Sequence, residues 1–160
     1  MSEDRTYSLQ EAHQHFARTL NGEVWGLLEK EDRSPAEDER MVHAAHASCY
    51  HWLVVGTGVH QQRGEWLIAR VYAELGRAEP ALRHAARCLA LTEEFAGLMQ
   101  DFDRAYANEA VARANALAGN REQALEYLKR AQESGQAIGD EQSKAIFLGD
   151  LEGGNWHGLK

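Results

Sequence analysis

The chain has 160 residues, a net charge of −8 and 44% hydrophobic residues, a length and composition suited to one globular domain with a sizeable core. No run of Lys and Arg interrupts the acidic balance, which excludes a nucleic-acid-binding surface, because affinity for phosphates needs concentrated positive charge. No apolar stretch approaches the ~20 residues that cross a bilayer, and the first ten residues lack the basic-then-apolar pattern of an export signal, so a cytoplasmic protein without membrane association is expected.

Two prolines and few clustered β-branched residues predict an all-α fold, with Val54–Val55 the nearest thing to a strand signal. Ser8 with Glu11 is a capping box, and Leu9, Phe16, Leu20, Val24 and Leu27 keep helical spacing to about Glu29. Asn21-Gly22 is expected to weaken or kink this helix. Ser34-Pro35-Ala36-Glu37 starts a second helix that runs to about Val55. Gly56 and Gly58 end it. A third helix is predicted over 59–75, turned by Gly76, and a fourth over 79–98. A fifth over 103–118 turns at Gly119-Asn120, and a sixth follows over 121–138. A short helix over 141–151 would cover the last apolar face, and Gly153 to Gly158 reads as a loose tail. Cys49 and Cys88 lack paired spacing and are expected to be reduced, buried small residues. Trp25, Trp52 and Trp66 are expected as core anchors.

The chain repeats itself at a distance of 43 residues: 69–87 and 112–130 match at Ala69/Ala112, Arg70/Arg113, Ala73/Ala116, Gly76/Gly119, Glu79/Glu122, Ala81/Ala124, Leu82/Leu125 and Arg87/Arg130. Self-similarity at such a period marks stacked helical hairpins. The pattern Tyr72-x3-Gly76-x4-Ala81-x3-Ala85-x2-Cys88, with Ala112, Gly119, Ala124, Leu128 and Ala131 in the second copy, resembles the tetratricopeptide repeat. The likeness covers about residues 60–138 and is closest to longer-helix variants found in bacterial regulatory and adaptor proteins. The sequence departs from that family in its period, 43 against about 34, in Asn115 at an aromatic position, and in lacking a helix-ending proline. The resemblance implies an α-α superhelix organised as an N-terminal hairpin (8–58), two repeats (59–98 and 103–138), a capping helix (140–152) and a tail (153–160).

It also implies a concave groove lined by the first helix of each hairpin. The groove positions are Arg63, Trp66, Arg70 and Glu74 on the third helix, and Tyr106, Glu109, Arg113 and Leu117 on the fifth. An aromatic plate flanked by guanidinium groups suits a carboxylate-bearing peptide, since Arg offers paired donors. The plainer alternative packs Trp66 in the core and pairs the arginines with Glu65, Glu74 or Glu109.

His43 and His46 stand three apart on the second helix with Glu39 one turn earlier, a face that could hold zinc or iron given further ligands from His13, His60 or His84. No phosphate-binding loop or nucleophile motif is present. Trp156 stands among glycines, as a partly ordered tail end or, second, docked in a groove of its own chain or a neighbour's as a self-inhibitor or dimer clasp. Three functions are therefore expected in descending order: a non-enzymatic, regulatory interaction module binding a peptide or anionic segment without a cofactor; a metal-dependent enzyme or metal-binding protein centred on His43 and His46; and a self-associating structural protein, such as a homodimer.

Overall fold

The computed structural model describes residues 4–160. The described residues form seven α-helices: α1 Leu9–Leu28, α2 Pro35–Val55, α3 Gly58–Glu74, α4 Ala78–Glu94, α5 Asp101–Ala118, α6 Arg121–Gln136 and α7 Glu141–Glu152. There is no strand among the described residues, and no helix among them is long and apolar enough to cross a membrane.

The helix starts follow local chemistry. At α1 the Ser8 hydroxyl accepts from the Glu11 amide, and the Glu11 carboxylate accepts from the Ser8 amide at 2.8 Å. Ser34 and Glu37 repeat that exchange at α2, with Pro35 in the first turn. Each box satisfies amides that the first helical turn leaves without partners. Contrary to expectation, α1 runs unbroken through Asn21-Gly22. The predicted fourth helix instead ends at Glu94, and a short 3-10 turn at Ala96–Leu98 carries the chain onward.

The two glycines of the internal repeat occupy the same setting. Gly76 has φ +72° and Gly119 φ +80°, left-handed values that cost any L side chain about 1–2 kcal/mol. After Gly76 the Arg77 amide donates to Tyr72 O at 2.9 Å; after Gly119 the Asn120 amide donates to Asn115 O at 2.9 Å. Both are the 6→1 bond that closes a helix with a left-handed glycine. The Asn115 side chain also accepts from Asn120 Nδ2 at 3.1 Å and so reinforces the second turn.

Helices pair as neighbours: α1 with α2, α3 with α4, and α5 with α6. The second helix of each pair packs on the next, α2 on α3 and α4 on α5. In addition α5 touches α3, and α7 packs on both α5 and α6. Thus α7 stands to the third pair as α5 stands to the second, closing the pile at one end. Ala69, Ala73, Ala81 and Ala85 meet Ala110 and Ala114 in the middle core, where small side chains let the helix axes approach. A bulkier cluster of Val24, Met41, Leu67, Ile68 and Val71 fills the first crossing, and one of Phe147, Leu151 and Trp156 fills the last.

Trp156 corrects the expectation of a loose tail: it is 5% exposed and belongs to that last cluster. Trp25 corrects the expectation of a core anchor: it is 38% exposed. Cys49 and Cys88 are buried free thiols, and burial pushes the Cys49 thiol up to about 12, which removes the thiolate and with it nucleophilic reactivity.

Candidate functional site

The first helices of the successive pairs, α1, α3, α5 and α7, share one face, and a pocket of about 420 Å³ opens there. Trp25 of α1 and Trp66 of α3 form stacked plates with ring centroids 5.7 Å apart and planes 25° from parallel. Tyr106 of α5 meets Trp66 edge-on at 5.2 Å. Arg63, Phe102, Ile146 and Asp150 complete the rim. The wall is therefore aromatic, with charge only at its edges. Such a surface favours an apolar or aromatic side chain with a few directional polar contacts.

Arg63 reaches across to α5 and donates from Nε and Nη2 to the Asp103 carboxylate at 2.8 and 3.1 Å. Asp103 is 2% exposed. It also accepts from the Gln100 amide at 2.9 Å, so it caps α5 and holds Arg63 at once. The buried Gln62 side chain donates to Thr92 Oγ1 and to Asp103 O, both at 3.0 Å, tying the pocket floor to α4. The Tyr106 hydroxyl donates to Asp150 at 2.5 Å. Burial and that bond raise the Tyr106 phenol well above its ordinary value, so it acts as a fixed donor rather than a base.

Deeper along the same stripe lies a charged cluster. Glu109, 1% exposed, accepts from Trp66 Nε1 at 2.8 Å and from Arg113 Nε, and Arg70 Nη1 stands 3.5 Å away. Trp66 and Glu109 are separated by one repeat length, 43 residues, so the repeat register itself puts them side by side. Arg113 is 3% exposed; burial draws its guanidinium below its ordinary value while Glu109 opposes the shift. Its Nη2 donates to Asp150 O at 2.7 Å and to Gly153 O at 2.9 Å, and Nη1 reaches Asn155 O at 3.4 Å.

Of the eight expected groove residues, the structure thus brings Arg63, Trp66 and Tyr106 to the pocket wall. Arg70, Glu109 and Arg113 lie on the same stripe but bond one another under the segment that follows α7. Glu74 stands 4.0 Å from Arg70 at the exposed edge, and Glu65 pairs with His84 at 2.6 Å instead of with an arginine. Sequence reasoning missed Trp25, Phe102, Ile146 and Asp150. Trp25 and Ile146 sit on helices without a repeat motif, so nothing in the sequence registered them against α3 and α5.

The histidine face comes apart. His43 is exposed, with only Glu39 at 4.0 Å. His46 turns inward to Tyr72, 2.8 Å from Nε2 to the hydroxyl, and lies edge-on to His84. Burial, with a smaller contribution from His84, lowers the His46 pKa, which keeps the ring neutral at pH 7. Among the described residues no three His, Cys, Asp or Glu side chains stand close enough to share a metal ion. A different pair was not foreseen: His13 and His51 face each other with Nδ1 atoms 2.8 Å apart.

Set beside known proteins, the chain matches no family model, no curated protein and no solved structure.

Proposed function

We propose that this protein is a tetratricopeptide-like interaction module, non-enzymatic, that binds a peptide segment of a partner in the pocket between α1, α3, α5 and α7. One observation carries the reading: the stacked Trp25 and Trp66 plates, with Tyr106 and Ile146, form an apolar concavity on the face that the helix pile leaves hollow. An anchor side chain of the peptide, aromatic or branched aliphatic, would lie against Trp66. Arg63 uses Nε and Nη2 on Asp103 and retains Nη1 for a carboxylate beside that anchor. The ligand is therefore an apolar residue with an acidic neighbour, rather than a long acidic run, which the net charge of −8 would repel.

The test is selection of peptides from a displayed library against the intact protein, followed by titration into variants. Ile146→Glu and Trp25→Ala alter partly exposed side chains on the rim and should weaken selected peptides about tenfold or more. Equal affinity for wild type and both variants would refute the pocket as the site.

A second reading, self-association, has its own observation. Leu9, Phe16, Tyr50, Leu53 and Val54 are all exposed on the first helix pair. Sedimentation velocity over a wide concentration range should show a dimer that Leu53→Glu abolishes; a monomer throughout rejects it.

A further inference from the structure

The hollow face has two halves along the same stripes of α3 and α5. Arg63, Trp66, Phe102 and Tyr106 border the open pocket. Arg70, one turn beyond Trp66, and Arg113, two turns beyond Tyr106, are covered by residues 153–160. What covers them is held as a bound peptide would be. Arg113 donates to the backbone carbonyls of Gly153 and Asn155, contacts that depend on no particular side chain. Its Cζ lies 4.1 Å from the centroid of the Trp156 ring, a cation–π arrangement. The Trp156 indole donates to Leu151 O at 3.0 Å and its ring joins Phe147 and Leu151. The backbone comes close at Gly154: a Cβ there would lie 2.7 Å from Arg113 Nη1 and 2.8 Å from Arg70 Nη2, so both guanidinium ends would have to shift, and its φ of +76° strains any L side chain. The segment also bends through left-handed backbone at His157, φ 53°, a conformation unfavourable for a residue with a side chain. Because α7 ends at Glu152, the segment can leave through Gly153-Gly154 without unwinding a helix.

We infer that the Arg70–Glu109–Arg113 half of the groove is a binding site for a peptide bearing a tryptophan two or three residues after glycine. Residues 153–160 are its resident ligand. A partner segment of the same chemistry enters by displacing them. This rests on the groove reading above and extends it: a partner that spans both halves must evict the resident segment, whereas one confined to the open pocket need not. The intramolecular segment competes at a high effective concentration, on the order of millimolar for a short tether. The full groove is therefore reserved for partners that match Trp156 and the carbonyl contacts.

The test uses the full chain and a labelled peptide of the sequence GGNWHGLK, residues 153–160. Two variants free the site by different routes: Gly154→Val, which collides with both guanidinium groups, and Trp156→Ala, which removes the anchor and leaves the backbone unstrained. The peptide should bind both variants at least about tenfold more tightly than wild type, because competition from the resident segment reduces apparent affinity by the open fraction. Its Trp→Ala version should not bind. In wild type, saturating peptide should accelerate hydrogen exchange of residues 153–160. Ile146→Glu should leave binding of this peptide unchanged, which separates this site from the open pocket. Failure of the peptide to bind either variant would overturn the inference. So would binding to wild type without release of the resident segment, or loss of binding in Ile146→Glu.

Discussion

The two halves of the hollow face are built from the same two helices and differ in what finishes them. In the near half Arg63 pairs with Asp103 and the aromatic plates are left facing space. In the far half Arg113 pairs with Glu109, and the chain itself supplies the remaining acceptors and an aromatic lid. A buried guanidinium must have each donor met, because an unpaired one carries a desolvation penalty of several kcal/mol. Arg63, half-exposed, is under no such demand, since water serves its outer nitrogen. The difference teaches that burial depth decides which arginine on a binding stripe remains free for a ligand. Residue type alone does not.

The comparison can be broken most severely at Glu109. Glu109→Ala removes the one carboxylate shared by Trp66, Arg70 and Arg113 and should cost about 3–5 kcal/mol of unfolding free energy, measured by urea denaturation. A loss similar to that of an exposed pair would show that the cluster is not buried as described. Trp156→Ala comes next. It empties the ring's place among Phe147 and Leu151 and should cost about 2–4 kcal/mol, the lower end applying if the remaining segment relaxes into the space. Gly76→Ala and Gly119→Ala should each cost about 1–2 kcal/mol and by similar amounts, since both forfeit the same left-handed turn. Unequal effects would mean that the two hairpins are less alike than their bonds indicate.

Acid sharpens the comparison in a different way. Burial lowers the pKa of His46, His51, His60 and His157 below the ordinary histidine value. The unfolded chain then binds protons that the folded chain refuses. Stability is complete above the unfolded histidine value near 6.5 and is lost as pH falls from there toward the lowered folded values. The urea midpoint should fall between pH 7 and pH 5, and His46→Gln should flatten that slope. A midpoint that rises on acidification would contradict the assignment. Smallest of all, Ile146→Glu should change stability by less than about 0.5 kcal/mol, because its side chain is half-exposed, while still weakening pocket ligands.

Much of the fold can be read before any coordinates. The capping boxes at Ser8 and Ser34 are local chemistry, and local chemistry persists whatever the tertiary context. The period of 43 residues put Trp66 next to Glu109, and Arg70 and Arg113, the same distance apart in sequence, both reach the Glu109 carboxylate. The site itself was only half legible. Trp25, Ile146 and Asp150 come from α1 and α7, helices that carry no copy of the repeat, so their register depends on packing rather than on pattern. Asp103 reads as a helix-start acid complementing the dipole, and only the arrival of Arg63 from 40 residues away explains its burial. The segment after α7 is misleading for a physical reason: its glycines signal freedom, yet here they permit the close approach to Arg70 and Arg113 that fixes it. His43 and His46 share a helix face in sequence, but Tyr72 supplies a partner for His46 alone and leaves His43 exposed beside Glu39, a difference that spacing does not encode.

Four tryptophans report on separate parts of the molecule: Trp25 and Trp66 at the open pocket, Trp156 over Arg113, and Trp52 stacked on His60 away from both. The indole N–H resonances of the intact protein, followed by NMR as a library-selected peptide is titrated in, therefore test the hollow face directly. Shifts at Trp25 and Trp66 with Trp52 unmoved are the predicted result. Shifts at Trp52 with Trp25 and Trp66 unmoved would place the ligand elsewhere and contradict the account.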